Sequence, residues 1–456
     1  MLFPLASAAQ TTELTGRVFT VNSIDDTVDA RSGDGICADA GDHCTLRAAI
    51  EEANASEATD AIVFSVPHGS AIELVLGELV ISKGLLMAGP GAKRLAIGRS
   101  LAPGTPNFRV FRVTGTITYA MMYGITIRNG QSDAGGGGVL VESRSGLGIY
   151  DSAIRNNHAQ FGGAVASLGS VSLQRCALYG NTATSNGGAV ANLDSETWMT
   201  VISSTFTKNE AQTGGAIYHN GELTLANATI SQNRATVAST SIDNQPGGVI
   251  KVVNTLIGRD ISKGLMGLSG TFQSYGHNII TDSRGSTGFA NGINGDQVSE
   301  NNVIDPKLGP LTDMGGQTDV LPTLAGSPAI EAGDVCVTTA NCPPLNIQAP
   351  VGTDQRHLRR ALKDPNLDIG AYEGDATPMT GLAGIGYGST PTLPTAFFVN
   401  SPVVLINPTT LEQYHTMLRL NAQVVFEQVV PLAELYIMHI KSKRRGLATP
   451  TFVIFD

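Results

Sequence analysis

The sequence is poor in charge and in aromatic rings. Charged residues make up 15% of 456, aromatic residues 5%, and there is one Trp. The formal net charge is −10, and the densest cationic cluster is Lys441, Lys443, Arg444 and Arg445 near the end of the chain. Without a long basic run, the chain is not expected to bind nucleic acid. No apolar stretch reaches the ~18 uncharged residues that a membrane-spanning helix needs. The best candidate, Ala422 to Ile440, carries Glu427, Pro431 and Glu434. The eight His are scattered, and neither HxxxH nor CxxC occurs, so the usual zinc spacings are missing. No Gly-rich string follows a strand and opens a helix, which argues against a nucleotide loop.

Cysteine is scarce too, with five residues. Cys37 and Cys44 form one close pair, Cys336 and Cys342 another, and Cys176 stands alone. Close pairs in Gly/Asp-rich loops of an exported chain read as short disulfide staples. Neither pair has a companion nearby that would complete a four-ligand metal site. Residues 1–14 begin as a short apolar run closing on Ala-Ser-Ala-Ala. They read as a signal-peptide remnant or a disordered start.

What is abundant is glycine, 53 residues, with many small polar side chains between short apolar runs. That mixture suits short strands joined by tight turns. Four segments align on Asn157, Asn181, Asn209 and Asn233, separated by 24, 28 and 24 residues. Three positions before each Asn lies an apolar residue: Ile154, Leu178, Phe206 and Ile230. Eight before lie Ile149, Leu173, Val201 and Leu225, and ten before lie Leu147, Val171, Met199 and Leu223. Five before, the residue is small: Ser152, Cys176, Ser204 and Ala228. Cys176 is therefore expected to be a core residue, not a reactive thiol. Gly pairs follow the first three Asn, at Gly162-Gly163, Gly187-Gly188 and Gly214-Gly215.

A period of 24 is too short for a self-burying helix pair and fits one turn of a solenoid of two or three short strands. The expected fold is all-β, a right-handed parallel β-helix rising about 4.8 Å per turn. Aliphatic columns would fill the bore, and the four Asn would form a structural ladder along the axis. The four extra residues of the 28-residue interval fall near Asp194-Ser195-Glu196-Thr197.

The Phe206-Thr-Lys-Asn209 and Gly214-Gly-Ala-Ile217 unit resembles the paired FxxN and GGA[ILV] repeats of chlamydial polymorphic outer membrane proteins. The string from Asp34-Gly-Ile-Cys37 through Cys44-Thr-Leu-Arg-Ala-Ala-Ile50 to Asn54 resembles the CSLREA domain of bacterial surface proteins, departing from it at Thr45 and Ala48. Downstream, Asp305-Pro306, Gly326-Ser-Pro-Ala-Ile330 and Asp368-Ile-Gly-Ala-Tyr-Glu373 resemble the choice-of-anchor Q region. Together the resemblances span roughly residues 15–375. They imply a secreted or surface-attached pectin-lyase-like β-helix, associated with the outer membrane, and they imply no reaction.

The expected organisation is a cap over 15–60, β-helix repeats over 61–304, further coils and a cap over 305–375, and a linker with a tail of uncertain structure over 376–456. Leu46, Ala49, Ile50 and Ala53 fall on one face of a short helix, with Thr45 as N-cap and Asn54 as stop. That helix would cover the first coil, because a solenoid end exposes strand edges. Asp354, Arg356, Asp368 and Glu373 read as a salt-bridged cap at the far end. In the tail, a helix is expected from about Leu411 to Lys443, interrupted by Pro431.

For catalysis, Asp194 and Glu222 both lie 13 residues after a ladder Asn, so that count puts them in one column. Two stacked carboxylates keep a glycosidase or lyase open as the alternative. Asp26, Asp29 and Asp34 are the candidate Ca²⁺ ligands, set against a reading as solvated loop acids. No other cofactor is expected. The leading expectation is a monomeric, adhesin-like scaffold that binds an extracellular glycan or a host or neighbour-cell protein and catalyses nothing.

Overall fold

The computed structural model describes residues 16–374 apart from 116–117, 262–263, 339–350 and 361–365, together with the backbone of five strands between 402 and 454. Parallel strands stack into a β-helix of about eight turns. One coil shows why. Trp198–Ile202, Thr205–Thr207, Glu210–Thr213 and Ile217–His219 are its strands, four where two or three were expected. Each is too short to be stable alone, and each finds its equivalent one coil away. Val201 lies opposite Leu173 and Leu225, and Phe206 opposite Leu178 and Ile230. All six side chains are fully buried. At roughly 1.5–3 kcal/mol per buried aliphatic or aromatic side chain, these columns are the main source of stability.

Second strands form a ten-stranded sheet and third strands a four-stranded sheet. The ladders of first and fourth strands join into 18 strands, because Leu268–Ser274 pairs with both.

The corners are held by side-chain ladders. Asn157 donates from Nδ2 to Asn181 Oδ1 (3.1 Å), Asn181 to Asn209 (3.0 Å) and Asn209 to Asn233 (3.0 Å). Each receiving Oδ1 also accepts the backbone N–H of the preceding Asn. Every Asn in the row is buried, so the network satisfies groups that water cannot reach. The row ends on Asp260, whose Oδ1 accepts from the Asn233 N–H at 2.8 Å. A second row runs five positions earlier, where Ser152, Ser204 and Thr255 accept backbone N–H groups from the coil before. Cys176 belongs to that column. Its Sγ donates to the Ile149 carbonyl at 3.2 Å, and burial pushes the thiol up to about 12.

The Gly pairs answer to backbone crowding. Gly187 has φ +67°, and a Cβ there would meet the Val190 carbonyl at 2.1 Å. A Cβ on Gly188 would meet the Gly215 carbonyl of the next coil at 2.2 Å.

At the N-terminal end, Leu46–Asn54 forms the expected helix. Thr45 caps it by accepting from the Ala48 N–H, and Leu46, Ala49, Ile50 and Ala53 bury into the bore. Asn54 is its last residue and bonds the Val80 carbonyl and the Ser82 N–H. A disulfide joins Cys37 to Cys44.

A cap at the far end was expected of the segment from Asp305 to Glu373; its described residues run as a strap along the outside of the coils. Val337, Val351 and Leu367 pack on Ile202, Ala226 and Val253, and Leu308, Leu321 and Ile369 pack on Leu256 and Ile279. Gln355 Oε1 accepts from Thr205 Oγ1 (2.6 Å), and Thr229 Oγ1 accepts from the Ala371 N–H (2.9 Å). These outward apolar and hydroxyl groups on the coils need a cover, and the strap is that cover. Its own rigidity comes from buried ion pairs, Arg356 with Asp354 (2.7 Å) and Arg360 with Glu373 (2.9 Å). Asp368 Oδ1 accepts from the Glu331 N–H. Of the expected set, Asp354 and Arg356 pair with each other, Glu373 pairs with Arg360, and Asp368 accepts from backbone N–H groups, all on the flank of the coils.

The tail also departs from expectation. Pro402–Ile406, Gln413–Arg419, Gln423–Phe426, Leu435–Ile440 and Thr449–Ile454 form a five-stranded antiparallel sheet where a helix was expected. Runs such as Pro402-Val-Val-Leu-Ile and Gln423-Val-Val-Phe are rich in β-branched residues, which favour strands.

Candidate functional site

The ten-stranded sheet has an outward column two positions before each ladder Asn. Its register runs Glu73, Gly98, Arg128, Arg155, Tyr179, Thr207, Ser231. Successive members lie one coil apart, about 4.8 Å. The strap covers the later part of this sheet and leaves the earlier part open. Where Gln317-Thr318-Asp319 crosses the coils, a cleft of about 290 Å³ remains. It is lined by the column residues Arg128, Arg155 and Tyr179 from the coils, by Asp319 from the strap, and by Lys93 and Arg94.

The charges in the cleft are unevenly satisfied. Arg128 reaches over Gly98 to pair with Glu73 at 2.5 Å. Gly98 permits this, since a Cβ there would meet the Arg128 Cγ at 2.8 Å. Lys93 pairs with Asp313 at 2.5 Å, lies 3.9 Å from Asp319 and donates to the Gly316 carbonyl at 3.1 Å. The Arg155 side chain has no ion pair or hydrogen bond among the described residues. It faces the Tyr179 hydroxyl, whose pKa is raised by burial, lowered by Arg155 and raised by Asp319, with a net upward shift. The cleft thus offers an unclaimed guanidinium beside a neutral phenol, in a chain whose net charge is −10.

The residues singled out in the sequence are not brought together. Asp194 lies in the loop after Val190–Asn192 and accepts from the Glu196 N–H. Glu222 lies opposite Trp198, not Asp194, and pairs with Lys251. Counting forward from the Asn carries the four inserted residues of the longer coil into the offset, which is why the shared column was wrong. Asp26, Asp29 and Asp34 are each committed to the cap. Asp26 is buried, pairs with Arg47 at 2.7 Å and accepts from the Val75 and Leu76 N–H groups. Asp29 accepts from Arg31 and Ala38, and Asp34 from Ile36. Among the described residues no group of three His, Cys, Asp or Glu is placed to hold a metal ion. Cys336 is disulfide-bonded, and Cys342 lies outside the described residues. No helix among the described residues is long and apolar enough to cross a membrane.

Arg128, Arg155 and Tyr179 were missed, although the Asn alignment already places Arg155 and Tyr179 two positions before Asn157 and Asn181. The strap that turns this column into a cleft carries no repeat that would announce it. Compared with known protein families, curated proteins and solved structures, the chain matches none.

Proposed function

We propose that this chain is a secreted or surface-attached β-helical scaffold that binds an extracellular glycan in the cleft beside the strap, and that it performs no chemistry on it. The reading includes membership of the CSLREA and choice-of-anchor Q class of bacterial surface proteins, on the motifs quoted above. One observation carries the site: Arg128, Arg155 and Tyr179 stand in a row at one-coil spacing along an open cleft. A regular row of donors and a ring suits a ligand that is itself a regular chain, and a rise of about 4.8 Å is close to the length of one sugar ring in an extended polymer. A cleft of this size admits a sugar ring and not a folded domain. The hydrolase or lyase alternative loses its candidate pair, since Asp194 and Glu222 occupy different places.

The test is a panel of soluble polysaccharides, scored both for retention by immobilised protein and for new chain ends. Retention without cleavage supports the scaffold. Cleavage would replace it with an enzyme, and failure to retain any member would remove the glycan reading.

A further inference from the structure

We propose that Arg155 makes the cleft selective for an acidic saccharide, with its guanidinium gripping a sugar carboxylate; this inference rests on the glycan reading above. Four cations line the cleft: Lys93, Arg94, Arg128 and Arg155. Carboxylates already claim two of them, Glu73 holding Arg128 and Asp313 holding Lys93. Of the other two, Arg94 is exposed, whereas Arg155 is half-buried between Arg128 and Tyr179, one coil from each. A guanidinium in that position has lost part of its hydration and gained no partner in return, so an incoming carboxylate meets a reduced desolvation cost. The planar fork matches a carboxylate bidentately. The Tyr179 hydroxyl, kept protonated, can donate to the same group or to a neighbouring ring oxygen. Asp319, across the cleft, sets a limit: it repels a second carboxylate placed near Tyr179. The cleft therefore takes one acidic ring at Arg155 rather than a uniformly charged polymer.

The experiment is calorimetric titration of the full chain with a short, otherwise neutral oligosaccharide carrying one hexuronic acid ring, its methyl ester and poly-glutamate. The free acid should bind about tenfold or more tightly than the ester, the worth of one charge-assisted pair. Arg155→Ala should abolish that preference while melting like the parent, because Arg155 supports no other group. Arg155→Gln serves as a second, size-matched variant, and the acid–ester comparison on the parent needs no variant. Equal binding of acid and ester would overturn this inference and leave the glycan reading standing. Binding of neither form, nor of any neutral glycan, would overturn both. Poly-glutamate binding with the same Arg155 dependence would show a general anion surface and overturn the selectivity for sugar.

Discussion

The coils and the strap lie against each other and are held together by opposite means. In the coils, each residue is supported by its equivalents one turn away: Val201 by Leu173 and Leu225, Asn209 by Asn181 and Asn233. In the strap, almost nothing repeats. It is held by two apolar seams against the coils, a few buried ion pairs and single hydrogen bonds to distant coils, such as Thr318 Oγ1 to the Arg175 carbonyl. A repeat spreads its stability over neighbours, whereas an aperiodic segment rests on individual contacts and can be lost as a unit.

The strongest test of that contrast is Val201→Asp. It places an unpaired charge in the bore between two coils that cannot move aside, at a cost of roughly 5 kcal/mol or more. Limited proteolysis should then cut within the central coils and spread outward. Survival of those coils at the parent's rate would mean that the column does not carry load.

Arg360→Ala comes next. It removes the 2.9 Å partner of buried Glu373 and the donor to the Gly370 carbonyl, which costs roughly 2–3 kcal/mol. Burial already pushes the Glu373 carboxyl up to about 7 against the pull of Arg360. Proteolysis should release the strap while the far-ultraviolet signature of the coils persists. Joint unfolding of both would erase the distinction between them.

Asp260→Asn should act in the other direction. Burial raises the Asp260 pKa to about 6, above the ordinary 3.8. The folded state therefore holds this proton more tightly than the unfolded state, and the resulting stability, full below about pH 4, is lost as pH rises through 6. Asn lacks that titration and extends the ladder, so the variant should gain roughly 1–2 kcal/mol at pH 7 and little at pH 4. Urea denaturation at both pH values measures it, and equal gains would show that ionisation is not the cause.

The smallest effect is expected at Lys208, which is exposed beside the ladder. Lys208→Ala should change stability by no more than about 0.5 kcal/mol in the same denaturation assay. A larger loss would mean that outward corner positions contribute more than the stacked columns imply.

The same contrast decides what could be read in the sequence. The bore columns, the Asn row and the Gly corners are legible because the same chemistry returns every 24 to 28 residues. Asp260 follows the pattern too, with Ile257, Thr255, Val252 and Ile250 three, five, eight and ten positions before it. It went unassigned only because the row was defined by asparagine. The corner backbone was hidden for another reason. The residue before each ladder side chain is left-handed whether it is Asn156, Lys208 or Gln232, so no single residue type marks it. The path of the strap was not legible. Its apolar residues answer to Ile202, Ala226 and Val253, outward positions whose need for a cover appears only once the coils are stacked.

The strap also changes how the molecule would answer to pulling. Near one end Lys93 holds Asp313 and the Gly316 carbonyl, and near the other Gln297 holds the Pro328 carbonyl. Between those points the strap is fastened to successive turns at Thr205, Thr229 and Asn254. A bare stack of coils pulled from its ends peels one turn at a time. With a tie laid lengthwise across many turns, the same force must shear several fastenings together. A rod reinforced in this way resists extension along its length more than it resists splitting from the side.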